Sequence, residues 1–135
     1  MSLPNKWIWL GEAEALAVHD RSLTLHGGAP GLRDAGLLKS ALARPRQLAA
    51  YGEGVDVVDL AAAYTCGLVQ NRPFVDGNKR TGFVVGVLFL ELNGMRLTAS
   101  EAEATHAVLG LASGSLNEAQ YAAFLRENVT PEGID

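Results

Sequence analysis

The sequence is short of several things, and each shortage narrows the choice. It has one cysteine, Cys66. No internal disulfide can form, and no cysteine metal cluster can be built. Cys66 falls in an alanine-rich helical pattern and reads as a small buried core residue. That fits a reducing cytoplasm. Basic charge is also short: 11 Lys and Arg stand against 15 Asp and Glu, a net charge of −4. A general nucleic-acid binder is therefore not expected. No long apolar run is present. The most apolar stretch, "GFVVGVLFL" from Gly82 to Leu90, is far below the ~20 residues that span a bilayer. The N-terminus lacks the basic start and apolar core of a secretory signal. A soluble, cytoplasmic protein without a membrane partner is expected.

What is there reads as one globular domain. Hydrophobic residues make up 48% and charged residues 19% of 135 positions, enough to bury a core without staples. Helical patterns follow one another. "GEAEALAVHDRSLTL" places Ala13, Leu16, Ala17 and Leu23 in a helical rhythm, with Trp7 and Trp9 before it as lids on the core. The Gly- and Pro-rich "HGGAPGLRD" is a loop. Asp34 then caps a helix carrying Leu37, Leu38, Ala41 and Leu42, which Pro45 should end or kink. Asp56 caps a helix from Val57 to about Gln70. A helix from Gly77 to Leu92 closes at Asn93-Gly94. Ser100 with Glu103, and Ser115 with Glu118, form capping boxes for two more. The chain from about Thr130 reads as a frayed tail. No repeat or domain boundary interrupts residues 1–135. The expectation is an all-α single domain of roughly six helices. The helix from Gly77 is apolar nearly all round and should lie at the centre. Gly82 and Gly86 would let a neighbour approach it closely.

Chemistry concentrates in "NRPFVDGNKRTG", Asn71 to Gly82. With Asp76 as N-cap, Lys79 and Arg80 fall in the first helical turn. Cations there oppose the positive end of the helix dipole by about 0.3–1 kcal/mol. The free amides of that turn need acceptors. Two cations beside free N–H groups make a site for an anion, phosphate above all, and Gly77 would let it approach the backbone. The alternative is a capped helix with two solvated cations at its rim. No Walker pattern is present.

"RPFVDGNKRT" closely resembles the Fic/Doc signature H-x-F-x-[D/E/N]-[G/A]-N-[G/K]-R. "AVHD", "GGAPGLRDAGLLKSALARP", "AAAY" and "FLELNG" are similar to the death-on-curing (Doc) branch. The resemblance implies a compact helical bundle with ATP as substrate and Mg²⁺ as metal. It implies that Phe74 anchors the motif loop in the core. Asp76 would hold Mg²⁺ or orient the substrate hydroxyl. The amides of Gly77 and Asn78 would form an anion hole, and Lys79 and Arg80 would grip the nucleotide phosphates. The segment Gly27 to Arg33 would be the flap that positions a target peptide.

Two departures stand out within that resemblance. AMP-transferring Fic enzymes read G-N-G-R-x-x-R, whereas here Lys79 takes the third place and Phe83 the last. Doc-type toxins share both features. The resemblance therefore implies phosphoryl transfer from ATP to a threonine of elongation factor Tu, which inhibits translation. It also implies a Phd-like antitoxin whose C-terminal segment folds as a helix in a groove. The second departure is Arg72, at the place of the family's general-base histidine. Arginine stays protonated and cannot act as a base, so impaired turnover is expected. The alternatives are AMP transfer and a catalytically degenerate protein that binds nucleotide or antitoxin.

Other polar residues take plainer roles. His19, His26 and His106 lack ligand spacing and read as surface or satisfied histidines, with His26 next to the flap. Glu12 and Glu14 are helix N-terminal charges. Arg33 and Asp34 either meet a partner or cap the flap, and Arg44 and Arg46 read as a solvated rim.

Overall fold

The computed structural model describes residues 6–132. In chain order it has α1 (Glu12–His26), α2 (Ala35–Tyr51), α3 (Val57–Asn71) and α4 (Asn78–Leu92). β1 (Met95–Leu97), α5 (Glu101–Ser113), α6 (Glu118–Glu127) and β2 (Val129–Pro131) follow. The six-helix, all-α expectation holds.

The helix at the centre is α3, not α4. Eleven of the 15 residues of α3 are buried, including an unbroken run from Leu60 to Val69. Its alanines and Gly67 are small enough for helices to close on it from several sides. α2, α4, α5 and α6 all pack on it. α4 is apolar all round in sequence yet exposes Val84, on a flank that borders a groove, and Leu92, its last residue.

Close approach to α3 depends on glycine, as expected for Gly82 and Gly86. A Cβ on Gly82 would lie 3.1 Å from Thr65 O and from Val69. One on Gly86 would collide with the Thr65 side chain and sit 3.1 Å from Ala61 O. On the other side, a Cβ on Gly67 would come within 3.2 Å of Ala41 O in α2.

Four local expectations need correcting. Pro45 neither ends nor interrupts α2, which runs on to Tyr51. Proline removes one backbone bond, and the buried face of Leu38, Ala41, Leu42 and Pro45 holds the helix against the core. The cap of α6 is Asn117 with Gln120, two residues past the expected Ser115 and Glu118. The Ser115 hydroxyl instead donates to Gly110 O and closes the turn after α5. The expected tail is ordered through Pro131, because Val129–Pro131 pairs antiparallel with Met95–Leu97. Gly133 lies outside the described residues.

The fourth correction is the face of α1. Its buried residues are Ala15, His19 and Ser22, which share one side at helical spacing. Leu16 and Leu25 are exposed. The rhythm of Ala13, Leu16 and Ala17 therefore does not mark the core side.

Trp7 and Trp9 do cover the core, with ring centroids 6.4 and 5.7 Å from Phe89. Cys66 is buried, and burial pushes its thiol up to about 11, as suits an inert core residue. Arg44 and Arg46 are not a free rim. Arg44 pairs with Glu118 at 2.6 Å, and Arg46 lies over the Trp9 ring at 5.1 Å. Among the described residues, no helix is long and apolar enough to cross a membrane.

Candidate functional site

The site is built on the six residues between α3 and α4. α3 ends at Asn71, and Arg72 follows in the left-handed region with φ 50° and ψ 56°. That conformation costs a non-glycine residue about 1–2 kcal/mol. Arg33 helps hold it. Its Nε donates to Arg72 O at 2.8 Å and its Nη2 to Asn71 O at 2.9 Å, placing a cation at the negative end of α3. Asp34 caps α2 by accepting from Leu37 N.

The glycine-rich segment lies along this loop as an edge. Pro73 O accepts from the amides of Arg33 and Asp34, and Val75 N donates to Gly31 O at 3.0 Å. Leu32 and Phe74 form an antiparallel bridge. Gly31 takes φ 119° and Gly28 φ 118°, open to glycine and strained for other residues.

Below the flap, Phe74 is buried and stacks on His19, ring centroids 3.8 Å apart and planes 7° from parallel. His19 Nε2 lies 2.8 Å from Asp76 O. A carbonyl only accepts, so Nε2 carries the proton. Asn78 closes the loop: its Oδ1 accepts from Phe74 N and its Nδ2 donates to Phe74 O, both at 2.9 Å.

Asp76 is not the N-cap of α4. That place belongs to Gly77, at φ 79° and ψ 18°. A positive φ at Gly77 starts the helix one residue later and frees the Asp76 carboxylate to face the flap. Its Oδ1 accepts from Gly77 N at 2.9 Å and its Oδ2 from Ala29 N at 3.2 Å. Gly77 supplies no side-chain cap to α4, so the first-turn amides beyond it have no such acceptor.

Asp76, Gly77, Asn78, Lys79 and Arg80 all border one groove of about 720 Å³ between α1, α4 and α5. Arg21, His26 and Glu101 also line it, and Leu25, Phe83, Val84 and Leu109 supply apolar walls. Lys79 and Arg80 are exposed to it, and Arg80 Nη1 lies 3.2 Å from His26 Nε2. Two motif residues stand apart. Phe74 borders a smaller hollow with Leu16, His19 and Leu32. Arg72 is exposed, does not line the groove, and makes no side-chain hydrogen bond or ion pair among the described residues.

Sequence reading missed Arg21, His26 and Glu101 as groove residues. The signal was present on α1: Ala17, Arg21 and Leu25 are four apart and share a face.

The Fic/DOC family model matches residues 9–90, the span that carries α1 to α4 and the whole motif loop. This chain belongs to the Fic/DOC family. It is 32% identical over 113 residues to the protein kinase doc of Escherichia phage P1, covering 84% of this chain and 89% of that protein. It is 46% identical over 77 residues to the toxin Doc of Mycolicibacterium smegmatis, covering 54% of this chain and 57% of that one. Both relatives are Doc proteins, which sets this Fic/DOC chain on the Doc branch.

Proposed function

We propose that this chain is a Doc-type toxin built for phosphoryl transfer from ATP to a threonine hydroxyl of elongation factor Tu, with turnover impaired at Arg72. The observation that carries the phosphate site is the start of α4. Lys79 and Arg80 stand at a helix N-terminus that lacks a side-chain cap and opens into a groove. A triphosphate would supply the acceptors these groups need. In the transfer, the bond from the terminal phosphorus to its bridging oxygen breaks and the threonine oxygen bonds to phosphorus. ADP departs, and the hydroxyl proton must pass to a base.

Arg72 stands where that base would be, and a guanidinium cannot take the proton. Loss of a general base lowers rates by about 10²–10⁴. Asp76 is the candidate Mg²⁺ residue. Among the described residues no cluster of three or more metal-ligating side chains exists. A single carboxylate fits a Mg²⁺ ion held chiefly by substrate phosphates and water. Such an ion would neutralise charge on the triphosphate. Asp76 itself is kept in place by two amides.

The groove also fits a partner. Its apolar walls and basic end suit an amphipathic helix carrying an acidic residue, which supports a Phd-like antitoxin as its occupant.

The test compares this protein with Arg72→His. Each is incubated with ATP, Mg²⁺ and elongation factor Tu, and the intact factor is weighed. A gain the size of one phosphate with the histidine form alone is expected. A gain the size of AMP would assign AMP transfer instead. No gain with either form would leave a nucleotide- or antitoxin-binding protein, the reading that the arginine at position 72 favours.

A further inference from the structure

His26 ends α1, where Gly27 N bonds back to Leu23 O. Its Nε2 lies 3.2 Å from Arg80 Nη1, and both side chains are exposed to the groove. A guanidinium has only donors. Nε2 must therefore be the acceptor, and the ring in this contact is neutral with its proton on Nδ1. Protonation would turn the contact into two facing donors of like charge. The hydrogen bond would be lost and the cations would repel. An anion seated between them reverses that result, because it accepts from both.

We propose that His26 is a positioning residue of the phosphate site. Neutral, it holds the Arg80 guanidinium against the end of α1. Charged, it joins Lys79 and Arg80 as a donor to the bound phosphate. The inference rests on the phosphate-site reading above. Histidine changes charge between about pH 5 and 8, so anion affinity should rise as pH falls through that range. The other charged groups facing the groove are Arg21 on α1, Lys79 on α4, Asp76 in the motif loop and Glu101 on α5. Of these side-chain types only histidine ordinarily changes charge in that range.

The experiment measures ATP affinity by calorimetry at pH 8 and pH 6, at matched ionic strength. It uses the chain as it stands, His26→Asn and Arg80→Ala. Asparagine can still accept from Arg80 but cannot gain a charge. Protonation of ATP itself affects every variant alike and cancels in the ratio. The unaltered chain should gain affinity over His26→Asn by about two- to five-fold on going to pH 6, the scale of an exposed ion pair. Arg80→Ala should bind more weakly at both pH values. Parallel pH profiles for the unaltered chain and His26→Asn, with ATP bound and Arg80→Ala weakened, would overturn this role and leave the phosphate site standing. Absence of ATP binding in the unaltered chain would overturn both.

Discussion

Asn78 has the most consequential side chain in the motif loop. It is nearly buried and bonds both the N–H and the C=O of Phe74. Those backbone groups are themselves buried, so they cannot turn to water when the amide is removed. Asn78→Ala leaves a donor and an acceptor unpaired, at a cost of about 2–6 kcal/mol when each is worth ~1–3. Urea denaturation should show a lower midpoint with an unchanged slope. Asn78→Asp keeps an acceptor for Phe74 N but sets a carboxylate oxygen against Phe74 O, so it should not restore stability. A loss below about 1 kcal/mol for Asn78→Ala would mean that His19 and the flap hold the loop without it. The sequence made the motif visible but not this clamp. Its pattern marks Asn78 as polar in a first helical turn, where solvent exposure is the default. Only the reversal of the chain at Gly77 brings Phe74 within reach.

At the scale of elements, the capping residues show what local chemistry can decide. Asp34, Asp56 and Ser100 each cap the helix that follows, as their positions before a periodic segment imply. The cap of α6 was misplaced because Ser115 and Glu118 have the right spacing while Asn117 and Gln120 have it too. Only the turn after α5 decides between them. Pro45 was misread for a different reason: helix propensity is local, and the packing of α2 on α3 overrides it. The face of α1 was misread because its buried stripe contains His19 and Ser22, which hydrophobic periodicity passes over.

Asp56 makes the element scale testable by pH. Burial works against its carboxylate, but the Asp59 amide and the Arg126 guanidinium outweigh it and hold the carboxyl below its usual 3.8. A lowered folded value means that the unfolded chain binds the proton more readily. The contribution is complete above 3.8 and is lost as pH falls below that through the lower folded value. Thermal denaturation between about pH 5 and 2 should show a shallower acid decline for Asp56→Asn than for the unaltered chain. The variant should still have a folded α3, since asparagine also caps well. Identical acid slopes would show that neither the Asp59 amide nor Arg126, which is half exposed beside Asp56, holds the carboxyl down in solution.

At the scale of the whole molecule, the inversion of centre and rim between α3 and α4 organises both stability and function. α3 is enclosed by four helices and has no role at the groove. α4 gives one flank to α3 and the other to the groove, and its first turn carries Lys79 and Arg80. A helix apolar on all sides need not be the centre. It can also lie between a core and a surface that awaits a partner, and periodicity alone does not separate the two cases. The consequence is a gradient of local stability. Amides in the middle of α3 should exchange with solvent only through global unfolding, whereas α5, which packs lightly on α3, α4 and α6, should open at lower free energy. Hydrogen exchange followed by mass spectrometry or NMR should therefore rank α3 above α5. If the groove takes the proposed antitoxin helix, adding that helix should slow exchange in α5 and α1 while leaving α3 at the global limit, because α1 and α5 line the groove and α3 does not. Equal protection of α3 and α5 in the free protein would instead mean that the groove is already rigid, and that its partner meets a preformed surface.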